Sequence, residues 1–476
     1  MQAKAHIHLI GICGSAMASL AGMLLTRGYR VTGSDAAAYP PMSDLLRGLG
    51  VEVRQPYAEA NLSPPPDLVI VGNAISRGNP ELELVLDRRI PMRSMAETLE
   101  REFLAGRESL VVAGTHGKTT TTSMLAWIYE TAARRRPGFA PSFLIGGVAE
   151  NFGVSFQVRD RGPFILEGDE YDTAFFDKGP KFLHYFPQAL ILTHVEFDHA
   201  DIYRDLDAVK TAFKRLVNLV PRSGRIVAFD GAANVGECVA RAFCPVERYG
   251  FAAGSHWRLS DFRQTAGESS WTIHREERDW LRVTMPLAGE HNALNATAAA
   301  ALAAGQGVDA EAIAEALAGF RSVKRRLEVK AQVRGVTVID DFAHHPTAIR
   351  ETLRALRAAY PGRRLWAVLE PRSNTLRRNI FERELVESLA LADKIILADV
   401  FKQEAIPADE RMHPEHVAAA LRRSGRDAAL LGSAEAIVRE LGARVQSGDV
   451  VAILSNGGFD GIYETLPRRL EETGEG

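Results

Sequence analysis

The stretch SLVVAGTHGKTTTTSMLAWIYE, residues 109–130, limits the fold more than any other part of this 476-residue chain. An apolar run of strand length passes through two glycines into a helix-forming segment, which reads as a buried strand, a tight turn and a helix. Such a strand belongs in a sheet of parallel neighbours, and parallel neighbours need helical crossovers. The same alternation recurs at both ends of the chain. HIHLIGI, YRVTGSD and DLVIVGN are strands near the N-terminus, with helices expected up to about Arg27 and from about Ser43 to Leu49. VTVIDD, LWAVLE, KIILADV and DVVAILSNGG are strands in the last third, separated by helical patterns such as PTAIRETLRALRAAY. The helix-like DAEAIAEALAGF and the cluster Lys324, Arg325, Arg326 mark the end of the longest, central unit. This length suits about three domains. The expected units are 1–106, 107–322 and 323–476.

Gly114, Thr115, His116, Gly117, Lys118, Thr119 and Thr120 lie where strand gives way to helix, so free backbone N–H groups and the helix dipole face an anion. Lys118 suits the β- and γ-phosphates of ATP, and the Thr119 hydroxyl suits Mg2+. Val112 stands where the common phosphate loop has a further glycine, which makes this a variant. Magnesium needs oxygen ligands. Glu167, Asp169, Glu170 and Asp172 follow the strand PFILE, and His199 follows ALILTHV, at strand ends where such sites form. Glu167 and His199, with Thr119, are the metal candidates.

The N-terminal turn GICGSAM lacks the glycines of a dinucleotide fingerprint, because Cys13 and Ala16 occupy two of their places. An oxidoreductase is therefore a weak alternative. Gly11, Cys13, Gly14, Ser15 and Met17 still form a small-residue turn at a helix start, and Asp35 ends the next strand, which suits a diphosphate sugar nucleotide. Composition narrows the classes further. A formal net charge of -3 gives no bias toward nucleic acid. No run of 18 uncharged apolar residues and no signal segment is found, so a cytoplasmic protein without a membrane segment is expected. Three cysteines without a C-x-x-C pair argue against a disulfide framework or structural zinc.

The order of GTHGKTTT, EGDEYD, EFDHAD, GEHNALNATAAAALA, Arg325-Arg326 and DDFAHHPTAI resembles the Mur ligase family over nearly the whole chain. The resemblance implies three α/β domains: an N-terminal Rossmann-like domain, a central P-loop ATPase-like domain with a parallel or mixed sheet, and a C-terminal Rossmann-like domain. It implies an ATP-dependent, ADP-forming ligase that makes an amide bond through an acyl phosphate. By the same resemblance Lys118, Glu167, His199 and Arg326 (or Arg325) serve catalysis, Asn292 meets adenine, Asp340 or Asp341 meets the ribose, and Asn73 joins the UDP-sugar site. Two members of the family act on UDP-N-acetylmuramate, one adding L-alanine and one a preformed murein tripeptide. LEPRSNTLRR and FFDKGPKFLHY lean toward the tripeptide, for whose carboxylates Arg372, with Ser373, Asn374 and His344, would supply a fork and hydrogen bonds.

Overall fold

In the computed structural model, residues 5–38, 42–265 and 267–472 are described. The extreme ends of the first and third expected units, 1–4 and 473–476, lie outside these. Three large sheets follow one another along the chain, besides a two-stranded antiparallel pair, Asp172–Ala174 with Asp177–Pro180. The first is all parallel, in the order Val53–Arg54, Arg30–Ser34, His6–Ile10, Leu68–Val71, Met92–Ser94. Only the middle three strands were expected. The two short edge strands carry too few alternating or β-branched residues to announce themselves.

The central sheet has ten strands. Ser109–Ala113, with every residue buried, sits between Ala189–Leu192 and Phe164–Gly168, and both pairings are parallel. Burial on both faces is why this strand reads as a continuous apolar run. Toward one edge the sheet turns antiparallel through Trp257–Gln264, Ser269–Arg275 and Arg278–Met285. The third sheet runs Glu328–Val333, Val336–Asp341, Val450–Leu454, Leu365–Leu369, Lys394–Ala398, Asp427–Gly432, parallel except for the first. The helix expected after DDFAHH is Pro346–Ala359, and the His345 ring accepts the Thr347 N–H as its cap.

The units are packed together at specific points. Helix Ser15–Thr26 of the first lies on strand Val154–Gln157 of the second, where the Ser19 and Ser155 hydroxyls are 2.9 Å apart. A methyl group at Gly22 would overlap the Phe156 ring. Gly22→Ala is therefore expected to lower stability by about 1–3 kcal/mol, the range for overpacking, and a thermal melt that did not move would refute this contact. Between the second and third units the chain passes through Ser322, Arg325 and Leu327, all with left-handed φ (77°, 63°, 50°). Val323 forms a bridge with Ala149 there, and the Lys324 N–H donates to the Val148 carbonyl.

Candidate active site

The buried strand Ser109–Ala113 ends at Gly114, whose φ of 131° and contact with Thr193 leave no room for a side chain. Gly117, φ 79°, precedes helix Lys118–Ala133, and a Cβ there would come within 2.6 Å of the Asn295 amide oxygen. Between them the Thr115 N–H donates to the His194 carbonyl. The turn is thus clamped from below, while the first-turn N–H groups of the helix have no intrahelical acceptors. An anion at that point meets a ready donor set.

Four charged groups converge on this turn. Lys118 Nζ donates to the Gly114 carbonyl (2.7 Å) and to both oxygens of Glu170 (2.8 and 3.0 Å). Burial opposes the Lys118 charge, but Glu170, Asp169 and Glu167 outweigh it and hold the ammonium above its usual range. Glu170 is almost wholly buried, and although burial disfavours its charge, Lys118 and His199 lower its pKa. His199 Nε2 lies 3.2 Å from Glu170. Burial pulls its pKa down, yet the hydrogen bond and charge of Glu170 and the charge of Asp198 raise it to about 9. The sign follows directly. With a folded pKa above the ordinary 6.5, His199 contributes stability fully below pH 6.5, and this is lost as pH rises through 9. The thermal midpoint of the ligand-free protein is expected to fall over that window by more than that of His199→Gln. Parallel curves would refute the pairing.

Glu167 accepts from the Thr119 hydroxyl (2.9 Å) and from the Gly146 N–H (2.8 Å), and burial raises its pKa. A desolvated carboxylate beside a hydroxyl, next to the phosphate turn, is a set of hard oxygens that fits magnesium. Thr119 thus lies on Glu167 and His199 on Glu170, an acid that the sequence left among several in one loop. Thr120 is buried within the helix.

Helix Glu290–Gly305 packs behind the turn, and one Asn292 amide N–H is committed to the Ala288 carbonyl at 2.6 Å. The arginine pair separates. Arg325 is held by Asp340 (3.1 Å), the Ser455 carbonyl (2.8 Å) and the Tyr463 hydroxyl (2.7 Å), whereas Arg326 lies 5.0 Å over the Phe342 ring. The two carboxylates expected at the ribose have partners of their own within the third unit. Asp340 is buried in its pair with Arg325, its pKa raised to about 6 by desolvation, and Asp341 accepts from the Leu327 and Ala343 N–H groups and the Thr352 hydroxyl. Both carboxylates serve the interior of the third unit.

In the first unit, Gly11 (φ 80°) and Gly14 shape the turn before helix Ser15–Thr26, and Ser15 is exposed at its start. Asp35 braces the turn by accepting the Cys13 N–H at 2.8 Å. Two expected sugar-nucleotide side chains are otherwise engaged. Met17 is buried in the hydrophobic core, and Asn73 donates to the Asp172 carbonyl at 3.1 Å, joining the first and second units.

Across the cleft a cavity of about 400 Å³ is lined by Tyr171 and His199 of the second unit and by His344, Arg372, Ser373 and Asn374 of the third. Arg372 stacks 3.7 Å over Phe401 and reaches Glu370 at 3.2 Å. Arg377 and Lys402 also face the cavity, and Arg377 donates to the Asn374 side-chain amide oxygen at 2.5 Å. Asn374 and Thr375 tie this wall to the second unit through Asp201 (2.8 Å) and Asp198 (2.6 Å). Sequence reasoning missed Arg377, Phe401 and Lys402. RSNTLRR did hold the first in view, but nothing local distinguishes Phe401 or Lys402 from surface residues.

Three family models match the chain in order: "Mur ligase family, catalytic domain" over residues 6–106, "Mur ligase middle domain" over 112–303 and "Mur ligase, glutamate ligase domain" over 325–457. The UDP-N-acetylmuramate–L-alanyl-γ-D-glutamyl-meso-2,6-diaminoheptandioate ligase of Escherichia coli K12 is 42% identical over 473 residues, 98% of this chain and 99% of that protein. The UDP-N-acetylmuramate–L-alanine ligase of Renibacterium salmoninarum is 35% identical, covering 95% of this chain and 93% of that protein. The crystal structure of a murein peptide ligase from Psychrobacter arcticus 273-4 superposes with a TM-score of 0.73 at 35% identity, covering 98% and 99% of the two chains.

Proposed function

The chain belongs to the Mur ligase family, and we propose that within it this enzyme joins UDP-N-acetylmuramate to the tripeptide L-alanyl-γ-D-glutamyl-meso-diaminopimelate, at the expense of ATP. The observation that carries the choice of acceptor is the cavity of about 400 Å³ with Arg372, Arg377 and Lys402 on one wall. Free alanine offers one carboxylate and a methyl group, whereas a tripeptide with several carboxylates uses all three cations. The higher identity to the relative named for the tripeptide supports the same reading.

The proposed chemistry assigns each wall of the cleft a task. The helix N-terminus and Lys118 hold the ATP phosphates, with Glu170 yielding the ammonium as phosphate takes its place. Magnesium, held by Thr119 and Glu167 with His199 and Glu170 beside it, would supply charge neutralisation at the transferring phosphoryl group. Arg326, free of the pairing that fixes Arg325, reaches from the third unit toward the same phosphates. The lactyl carboxylate of the sugar nucleotide, bound along Gly11–Ser15, is activated as an acyl phosphate, and the peptide amine attacks it to give the amide, ADP and phosphate. No protein nucleophile is required, since positioning and electrostatics do the work. These substrates place the reaction in the cytoplasm, in the reuse of cell-wall peptides. Among the described residues no helix is long and apolar enough to cross a membrane.

The test is phosphate release by the purified protein with ATP, magnesium and UDP-N-acetylmuramate. Turnover with the tripeptide and little with L-alanine is the expected result. The reverse preference would make alanine the acceptor and overturn the reading of the cationic wall.

A further inference from the structure

Three residues from three separate segments meet beside the phosphate turn, and none of their side chains has a part in the chemistry above. His116 comes from the turn itself, Glu196 from the loop after strand Ala189–Leu192, and His345 from the cap of helix Pro346–Ala359 in the third unit. One ligand-capable atom of each lies within 4.8 Å of the others. His116 Nε2 is 2.8 Å from a Glu196 oxygen, and His345 Nδ1 is 3.5 Å from the same oxygen.

We propose that His116, Glu196 and His345 form a transition-metal site, suited to Zn2+, that ties the phosphate turn to the third domain. Two imidazoles and a carboxylate with a fourth position open are a donor set that zinc takes, and softer nitrogen ligands distinguish it from the all-oxygen pair at Thr119 and Glu167. Zinc–ligand lengths of about 2.0–2.1 Å place neighbouring donors roughly 3.3 Å apart, so the two shorter separations already suit an ion. The His345 Nε2 sits 3.3 Å from the Phe197 carbonyl. A second-shell bond of that kind fixes the tautomer and leaves Nδ1 unprotonated. Nδ1 accepts the Thr347 N–H at 3.2 Å and lies 3.5 Å from the Glu196 carboxylate.

The protonation states agree with this. Burial favours a neutral Glu196, but His116 and His345 overcome it and lower its pKa to about 2, while burial and the neighbouring His116 lower that of His345 to about 3. Glu196 is ionised and His345 neutral at pH 7, as ligands must be. Coordination replaces one long contact, the Thr347 N–H on Nδ1 at 3.2 Å. Because its ligands come from the second and third domains, the bound ion would link the two.

The proposal is tested on metal-stripped, full-length protein without nucleotide, titrated with Co2+ as a spectroscopic probe and then with Zn2+ in competition. One equivalent with the visible bands of a low-coordinate nitrogen site, displaced by Zn2+, is the expected result. Affinity should fall at least tenfold in Glu196→Gln, in His116→Asn and in His345→Asn, the last retaining a good helix cap. Glu167→Gln should bind as the wild type does. Unchanged affinity in His345→Asn, or no cobalt bands in wild-type protein with an intact thermal melt, overturns the site. Neither outcome bears on the acceptor preference, which is read separately by phosphate release.

Discussion

Lys118→Ala is expected to lower kcat for ATP-dependent ligation by about 10²–10³-fold, the loss typical of one preorganised group aimed at developing charge. Lys118 holds the carbonyl that begins the turn and the carboxylate of Glu170 at once, and in the proposed chemistry its ammonium passes from Glu170 to the ATP phosphates. The variant has a second effect that allows the two roles to be separated. Removing the ammonium leaves Glu170, which is 1% exposed, with His199 as its remaining cationic partner, so the cost stays below the roughly 3–5 kcal/mol of a buried pair broken outright. The double variant Lys118→Ala/Glu170→Gln removes the carboxylate charge and is expected to recover most of the thermal midpoint, but none of the turnover. If stability and turnover recovered together, Lys118 would be a scaffold residue and the phosphate assignment would fail.

Arg372→Ala is expected to reduce kcat/KM for the tripeptide by about 2–3 kcal/mol, on the order of 30- to 150-fold, in the range found when one partner of a desolvated charge pair is truncated. The Phe401 ring beneath it and Glu370 beside it fix the guanidinium plane, so the fork is preorganised for a carboxylate. Arg372→Lys should recover little, since an ammonium neither stacks nor binds in bidentate fashion. A deficit confined to the KM for the sugar nucleotide would place Arg372 outside the acceptor site.

Much of this was legible in the chain because the chemistry sits at strand ends. Gly114, Gly117, Lys118 and Thr119 announce themselves by a pattern that few other folds require, and Glu167 follows an apolar strand whose register with Ser109–Ala113 is parallel. The alternation of strands and helices likewise carried the three-sheet architecture, although the antiparallel extension at 257–285 did not stand out. What stayed hidden depends on pairing in space. Nothing in DD at 340–341 says that one carboxylate is consumed by Arg325 and the other by backbone amides, and Arg325 and Arg326 differ only in which of them meets Tyr463. The cationic wall is built by residues 372, 377 and 402, and only the third sheet brings 402 to the others.

The passage between the second and third domains has a consequence for how firmly they are joined. Ser322, Arg325 and Leu327 hold a backbone conformation that costs side-chain-bearing residues about 1–2 kcal/mol apiece, and it persists because Ala149, Val148 and Glu328 grip the segment. A connector made in this way is a wound spring, not a slack tether. Those grips balance the few kcal/mol of backbone strain, so the joint keeps its set before any substrate arrives.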